Sequence, residues 1–185
     1  MKPTVRIHAV LGSARSLEPT IRPRNPGLHL PGGTTATRWL SQGASRSQGW
    51  PLAVEGALNE GAPWAKHCVL NLAHPGIGIE ILTDELHPEY QNGLPWILAV
   101  MGDVTAQLST LGARAIPGWV LLDLDGHPDT QRVRKIQSWC MRQGLDLALV
   151  GQSAAPPPHL TVLPYQPLSV VHDVSAFLCA MEHKL

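Results

Sequence analysis

Two aspartates separated by one residue are the most chemically suggestive feature of the sequence. Asp123 lies near the end of the apolar run from Trp119 to Leu124, and Asp125 follows the run, which Pro117-Gly118 and Gly126 bound. Such a run is typical of a strand buried on both faces, so the pair is predicted at its carboxyl end. Open α/β sheets bind ligands at that end, and two carboxylates there could share Mg²⁺. A plain turn is the competing interpretation, because Asp and Gly favour turns for backbone reasons alone.

The Asp-x-Asp pattern also resembles motifs of two families that act on phosphate. In haloacid-dehalogenase-like phosphatases the first Asp is the nucleophile and the second the acid, although His127 stands where those enzymes usually have threonine. In Toprim domains a Glu-Gly pair at an earlier strand end precedes the two aspartates, and Glu55-Gly56 is similar to that pair. The Toprim resemblance implies a metal site of Glu55, Asp123 and Asp125 for phosphodiester chemistry.

Glycines and hydroxyl side chains in the first fifty residues form a second candidate site, for an anion. Glycines ahead of a helix expose backbone N–H groups, while hydroxyls and an arginine add donors and charge. A short helix over Thr34 to Gln42 is predicted here. The candidate phosphate-binding residues are Gly32, Gly33, Thr34, Thr35, Arg38 and Arg15. A hairpin or loop turn is the alternative, because turn chemistry alone demands the same residues.

Charge is balanced over the whole chain but segregated along it. The 185 residues include 14 basic and 14 acidic ones. Residues 1–50 contain seven basic residues and one acid, whereas residues 51–110 contain one basic residue and seven acids. The basic block is therefore predicted to bind phosphate or nucleic acid, to pair with the acidic block, or to meet that block in another subunit. The candidate partner-binding residues are Arg22, Arg24, Trp39 and Trp50, since an exposed tryptophan anchors interfaces. Packing in the core is the alternative use of each tryptophan.

Composition excludes several classes of protein. The three cysteines are odd in number and lack metal-type spacing, which argues against a disulfide framework. No apolar run approaches the length of a membrane span, and the first residues do not resemble a signal peptide. We therefore expect a cytoplasmic protein without a membrane segment.

Apolar runs and helical spacing alternate through the second half of the chain, which predicts β-α-β units. Three helices are expected in this half of the chain. The first runs from Asp103 to Gly112, the second begins near Pro128-Asp129 and ends at Gly144, and the third begins at Ser169. The predicted strands cover residues 4–11, 68–72, 77–82, 95–101, 119–124, 145–150 and 160–163. These elements predict one α/β domain over residues 1–185, with a mostly parallel, Rossmann-like sheet and flanking helices. Residues 95–185 form its regular core, and residues 12–50 form a long irregular Pro/Gly/Arg-rich loop region.

Two classes of function remain open from the sequence. The first is a non-catalytic binding or assembly subunit of a larger bacterial-type complex, which contacts a protein partner, a second copy or nucleic acid through the basic segment. The second is a Mg²⁺-dependent phosphoryl-transfer or phosphoester-hydrolysing enzyme that uses Asp123 and Asp125, with Glu55 as a further acid. A cofactor other than Mg²⁺ is not indicated.

Overall fold

The computed structural model describes most of the predicted core and little of the basic N-terminal region. The described residues are 2–12, 16, 28–29, 35–36, 49–73, 93–124, 129–151 and 156–182. Within them the chain forms β1 (Thr4–Gly12), β2 (Leu28–His29), β3 (Thr35–Ala36), α1 (Trp50–Leu58), β4 (His67–Asn71), α2 (Gly93–Thr110), β5 (Arg114–Leu124), α3 (Thr130–Arg142), β6 (Asp146–Gly151), β7 (Thr161–Leu163) and α4 (Val170–Glu182).

Five strands form one parallel sheet in the order β4-β1-β5-β6-β7. Counted along the chain, this is the order 2-1-3-4-5, one of the two common orders of doubly wound sheets. The prediction of an α/β fold with a mostly parallel sheet and flanking helices is therefore confirmed. The irregular region predicted over residues 12–50 lies largely outside the described residues.

Helices cover both faces of the sheet because successive side chains of each buried strand point to opposite faces. Val120 and Leu122 of β5 pack in the cluster that contains α2 and α3, whereas Leu121 packs in the cluster that contains α1 and α4. The connection from β1 to β4 and that from β5 to β6 run in opposite directions along the sheet. Right-handed crossovers then require their helices, α1 and α3, to lie on opposite faces, as they do.

The β5-α3-β6 unit is confirmed together with the residues that end its helix. The Asp129 carboxylate accepts the N–H of Gln131 at 2.9 Å and so caps the first turn of α3. Gly144 has a φ of 67°, the left-handed conformation that terminates many helices. The predicted opening strand, the strand after Gly144 and the helix after Ser169 are confirmed as well.

The strand predicted over Pro95 to Met101 is wrong, since these residues belong to α2. The short helix predicted from Asp103 is the second half of the same 18-residue helix. Leu94, Ile97 and Met101 are buried at helical spacing. A short apolar run alone does not separate a buried strand from a buried helix, which is why the prediction failed.

Three further boundaries differ from the predictions. Pro117 and Gly118 do not precede the strand but lie inside β5, where the pairing with β1 shifts register. Thr35 and Ala36 lie in β3, which pairs antiparallel with β2, rather than in the helix predicted over Thr34 to Gln42, whose other residues lie outside the described ones. Glu55 lies within α1 rather than at a strand end. The strand predicted over 77–82 lies outside the described residues.

Candidate functional site

The strand order implies a crevice at the carboxyl ends of β1 and β5. These neighbouring strands send their connections to opposite sides of the sheet, and such switch points hold the ligands of open α/β folds. Gly12 of β1 is paired with Asp123 of β5 at this edge. The connections that follow β4 and β6 leave from the same edge, because all five strands are parallel.

Asp123 is buried and holds together the segments that border this crevice. Its Oδ2 atom accepts hydrogen bonds from the Ser16 hydroxyl and from Nε1 of Trp50, the latter at 3.1 Å. Asn71 Nδ2 donates to the Ser16 carbonyl at 2.9 Å, and Asn71 Oδ1 accepts the N–H of Ala73 at 3.2 Å. The side chain of Asp123 is only 1% exposed, so its carboxylate acts as an internal anchor.

Gly12 is required where β1 meets Asp123. Its φ is +142°, and a Cβ at this position would overlap the carbonyl oxygen of Asp123. Any other residue would suffer both backbone strain and a clash with main-chain atoms. The two strands can therefore approach this closely only because position 12 has no side chain.

Glu55 binds the outer edge of the sheet instead of the crevice. Its Oε2 atom accepts the N–H of Val69 at 2.7 Å. One turn later on α1, Asn59 accepts the N–H of His67 at 3.1 Å and donates to the carbonyl of the same residue at 2.9 Å. Because β4 is the outermost strand of the sheet that the structure describes, Glu55 and Asn59 satisfy main-chain groups on the side of β4 that faces away from β1.

The strand register separates Glu55 from Asp123. Val69, which Glu55 contacts, is opposite His8 in β1, whereas Asp123 is opposite Gly12. Four residues of parallel strand span roughly 13 Å. Ligands of one Mg²⁺ must each lie about 2 Å from the ion, so Glu55 and Asp123 do not share one. The described part of the chain brings together no three His, Cys, Asp or Glu residues that could hold a metal ion.

The other predicted site residues divide into two groups. Trp50 is 1% exposed and packs in the core between α1, α4 and the sheet, so it does not anchor a partner at the surface. Thr35 lies in β3. The remaining predicted residues, which are Arg15, Arg22, Arg24, Gly32, Gly33, Thr34, Arg38, Trp39 and Asp125, lie outside the described residues.

A second buried polar cluster was not predicted from the sequence. The main-chain N–H of Trp119 donates to His8 Nδ1 at 3.0 Å, and His8 Nε2 lies 3.2 Å from His67 Nδ1. His67 Nε2 and Arg6 Nε lie 3.4 Å and 3.5 Å from the same oxygen of Glu182. The alternation of residues in β1 indicated that Arg6 and His8 share a face of the sheet. Their partners could not be identified from the local sequence, because they lie 59 or more positions away.

Comparison with models of known families, with curated proteins and with solved structures finds no match for this chain. Function is therefore inferred from the chain's own geometry. No helix in the described part of the chain is long and apolar enough to cross a membrane.

Proposed function

We propose that this chain is a non-catalytic binding subunit that holds a negatively charged protein partner at the carboxyl edge of its sheet. The binding element is the basic segment of residues 13–48, which connects β1 to α1. One observation carries the proposal: residues at both ends of that segment are bonded to, or packed against, Asp123. The segment is thus tethered at the switch point, where doubly wound folds bind ligands.

The role of Asp123 supports binding over catalysis. Gly12 packs against its main chain, Ser16 donates a hydroxyl to its carboxylate, and Trp50 donates an indole N–H to the same oxygen. A nucleophilic carboxylate needs access to a substrate, whereas this one is 1% exposed. Its hydrogen bonds serve to fix the start and the end of the basic segment relative to each other.

The charge of the tethered segment determines the kind of partner. Between Gly12 and Gly49 the sequence contains five arginines and a single acid. A concentrated positive charge attracts a negatively charged surface and raises the rate of association with it. The acidic block of residues 51–110 in a second copy has the complementary sign, so self-association is one form that this binding would take.

Charge reversal in the segment tests the proposal. Arg22→Glu with Arg24→Glu should abolish capture of an acidic protein partner, or self-association seen by analytical ultracentrifugation, while the melting temperature stays unchanged. The matched control is Arg134→Glu with Arg142→Glu, which reverses two exposed charges on α3. The proposal is contradicted if both double variants lose partner binding equally, or if the Arg22→Glu, Arg24→Glu variant still binds the partner. Binding to oligonucleotides alone assigns the segment to nucleic acid instead.

A second candidate function rests on the position of Asp123 alone. The switch point beside Gly12 suits a Mg²⁺-dependent phosphoryl-transfer or phosphoester-hydrolysing site of Asp123 and Asp125, without Glu55. Mg²⁺ would supply charge stabilisation to the reacting phosphate. Release of phosphate from phosphoesters that requires Mg²⁺ and disappears in Asp125→Asn supports this function. Equal rates for the wild type and Asp125→Asn reject it.

A further inference from the structure

The two buried histidines form a hydrogen-bonded chain whose direction is fixed from one end. Because the Trp119 N–H donates to His8 Nδ1, the proton of a neutral His8 must be on Nε2. Nε2 then donates to His67 Nδ1, at 3.2 Å, with the two rings only 15° from parallel. The proton of His67 is therefore on its own Nε2, which faces a carboxylate oxygen of Glu182 at 3.4 Å. Both rings are neutral in this arrangement.

The hydrogen-bonded pair of histidines offers no acceptor for the N–H that one more proton would create. If His67 gains a proton on Nδ1, that N–H points at the N–H of His8. If His8 gains one on Nδ1, it points at the main-chain N–H of Trp119. Either way two donors face each other at hydrogen-bond distance in a buried site, which costs the desolvation of both groups. The closed structure therefore accommodates only the neutral pair.

His8 cannot turn away to relieve the conflict, whereas His67 can be released. The ring of His8 lies directly on the main chain of Gly118, where even a Cβ would come within 2.6 Å of Nδ1. His67 lies in the outermost strand, and its ring meets Glu182 in the last turn of α4. Opening that turn would remove Glu182 from the ring of His67.

Charged groups come from each element around the pair: Arg6 of β1, Lys66 before β4, Glu182 of α4, and Glu55 of α1, whose carboxylate is bonded to Val69. Of the two histidines, His67 is the one that faces a carboxylate, that of Glu182, so we expect His67 to take the proton. Burial, His67 and Arg6 lower the pKa of His8 to about 3. Burial also lowers the pKa of His67, with Arg6 and Lys66 acting in the same direction and Glu182 opposing them.

We propose that His8, His67 and Glu182 form an acid-sensitive latch, in which protonation of His67 releases the last turn of α4 from the β1–β4 edge of the sheet. In the closed state the neutral pair binds α4 through Glu182. In the open state His67 is solvated and carries the proton. The latch lies away from the crevice at Asp123 and does not depend on the proposed binding function.

Hydrogen exchange of the full chain, corrected for the intrinsic rate, tests the latch. An open-state His67 titrates near pH 6.5, so the opening constant of the last turn of α4 should rise about tenfold from about pH 7.5 to about pH 5.5. The amides of β6 serve as the internal reference, and their opening constants should rise less over the same pH range. Equal changes in α4 and β6 would mean general loss of stability and would overturn the proposal.

Two histidine variants separate the latch from other titrations. His67→Gln preserves an acceptor for His8 and a donor for Glu182 but does not titrate, so the tenfold rise should disappear. His172→Gln, an exposed position on the same helix, should retain it. A rise that persists in His67→Gln, or that is lost in His172→Gln, contradicts the assignment.

Nitrogen-15 NMR of the wild-type histidine rings tests the latch without any variant. At neutral pH His8 and His67 should both be neutral and carry the proton on Nε2. On acidification His67 should gain its proton together with the chemical-shift changes of α4. A proton on Nδ1 of either ring at neutral pH, or titration of His67 with α4 unchanged, excludes the latch.

Discussion

Gly118 and His8 are packed so closely that position 118 has no room for a side chain. The bulge in β5 places Gly118 and Trp119 opposite the single residue His8, because Ile7 pairs with Pro117 and Ala9 with Val120. The ring of His8 fills the space above the glycine and accepts the N–H of Trp119. The bulge therefore needs a glycine at position 118, where the ring of His8 lies, and His8 in turn accepts the N–H that the bulge presents.

Gly118→Ala should destabilise the protein by about 1–3 kcal/mol, because overpacking of a well-packed site has this cost. The new Cβ would lie 2.6 Å from His8 Nδ1 and 2.8 Å from the carbonyl oxygen of Ile7, and a main-chain atom cannot move away cheaply. Denaturant unfolding monitored by tryptophan fluorescence measures the change.

Gly102→Ala is the matched control. Gly102 lies in α2, and apart from its own chain neighbours and helix backbone no described atom lies within 4 Å of the added Cβ. Alanine in a helix interior is favoured over glycine by about 0.5–1 kcal/mol, so this variant should be more stable than the wild type. A loss of stability from Gly102→Ala equal to that from Gly118→Ala would contradict the packing argument.

At the scale of elements, α1 connects the crevice to the sheet edge. Its first residue, Trp50, donates to Asp123, while Glu55 and Asn59 bind the free edge of β4 further along the helix. An uncovered edge strand is a template for pairing with another chain. One helix therefore anchors the end of the basic segment and protects the sheet.

Glu55→Leu should lower the free energy of unfolding by about 1–3 kcal/mol, because it leaves the buried N–H of Val69 without the acceptor that Glu55 supplies. Glu55→Gln retains a carbonyl oxygen for the same N–H and should cost less than about 1 kcal/mol. Denaturant unfolding compares the two variants, and light scattering detects association through the exposed edge. Equal losses in the two variants would show that the charge of Glu55, not its acceptor, matters.

At the scale of the whole molecule, the buried histidines link stability to pH. The pKa of His8 is lowered to about 3 in the fold, below its ordinary value of 6.5. The unfolded chain therefore binds more protons than the folded one between these values. Stability is fully present above pH 6.5 and is lost as the pH falls from there toward pH 3.

The free energy of unfolding should fall by about 1.6 kcal/mol between pH 6.5 and pH 5 from His8 alone, because the slope approaches its full 1.36 kcal/mol per pH unit only below pH 6.5. Urea unfolding across this range measures it, above the pH at which most carboxylates titrate. Stability that is constant, or that rises toward pH 5, contradicts the neutral buried state of His8.

The local sequence was sufficient for the elements whose signals are local. Asp129 and Gly144 mark the ends of α3 through capping and a left-handed turn, which depend on a few neighbouring residues. It was insufficient for α2, where buried apolar residues give the same local pattern in a helix as in a strand. It was also insufficient for β5, whose bulge at Gly118 depends on a histidine 110 positions away.

The candidate site was predictable to a similar extent. The apolar run that contains Asp123 indicated that this residue stands near the carboxyl end of a buried strand, and the structure agrees. The partners of Asp123, Ser16 and Trp50, come from 107 and 73 positions away. The bond from Glu55 to Val69 likewise depends on how α1 packs on β4.

The sequence by itself determined the fold class, the turn residues and the segregation of charge, because periodicity, caps and composition act over short distances. Only the tertiary structure decided what the polar side chains do. Parallel pairing brings Asp123 to the ends of the basic segment, separates it from Glu55, and joins His8 to His67 and Glu182. The reason is that each buried polar group must find a partner, and in this fold the partners come from distant strands and helices.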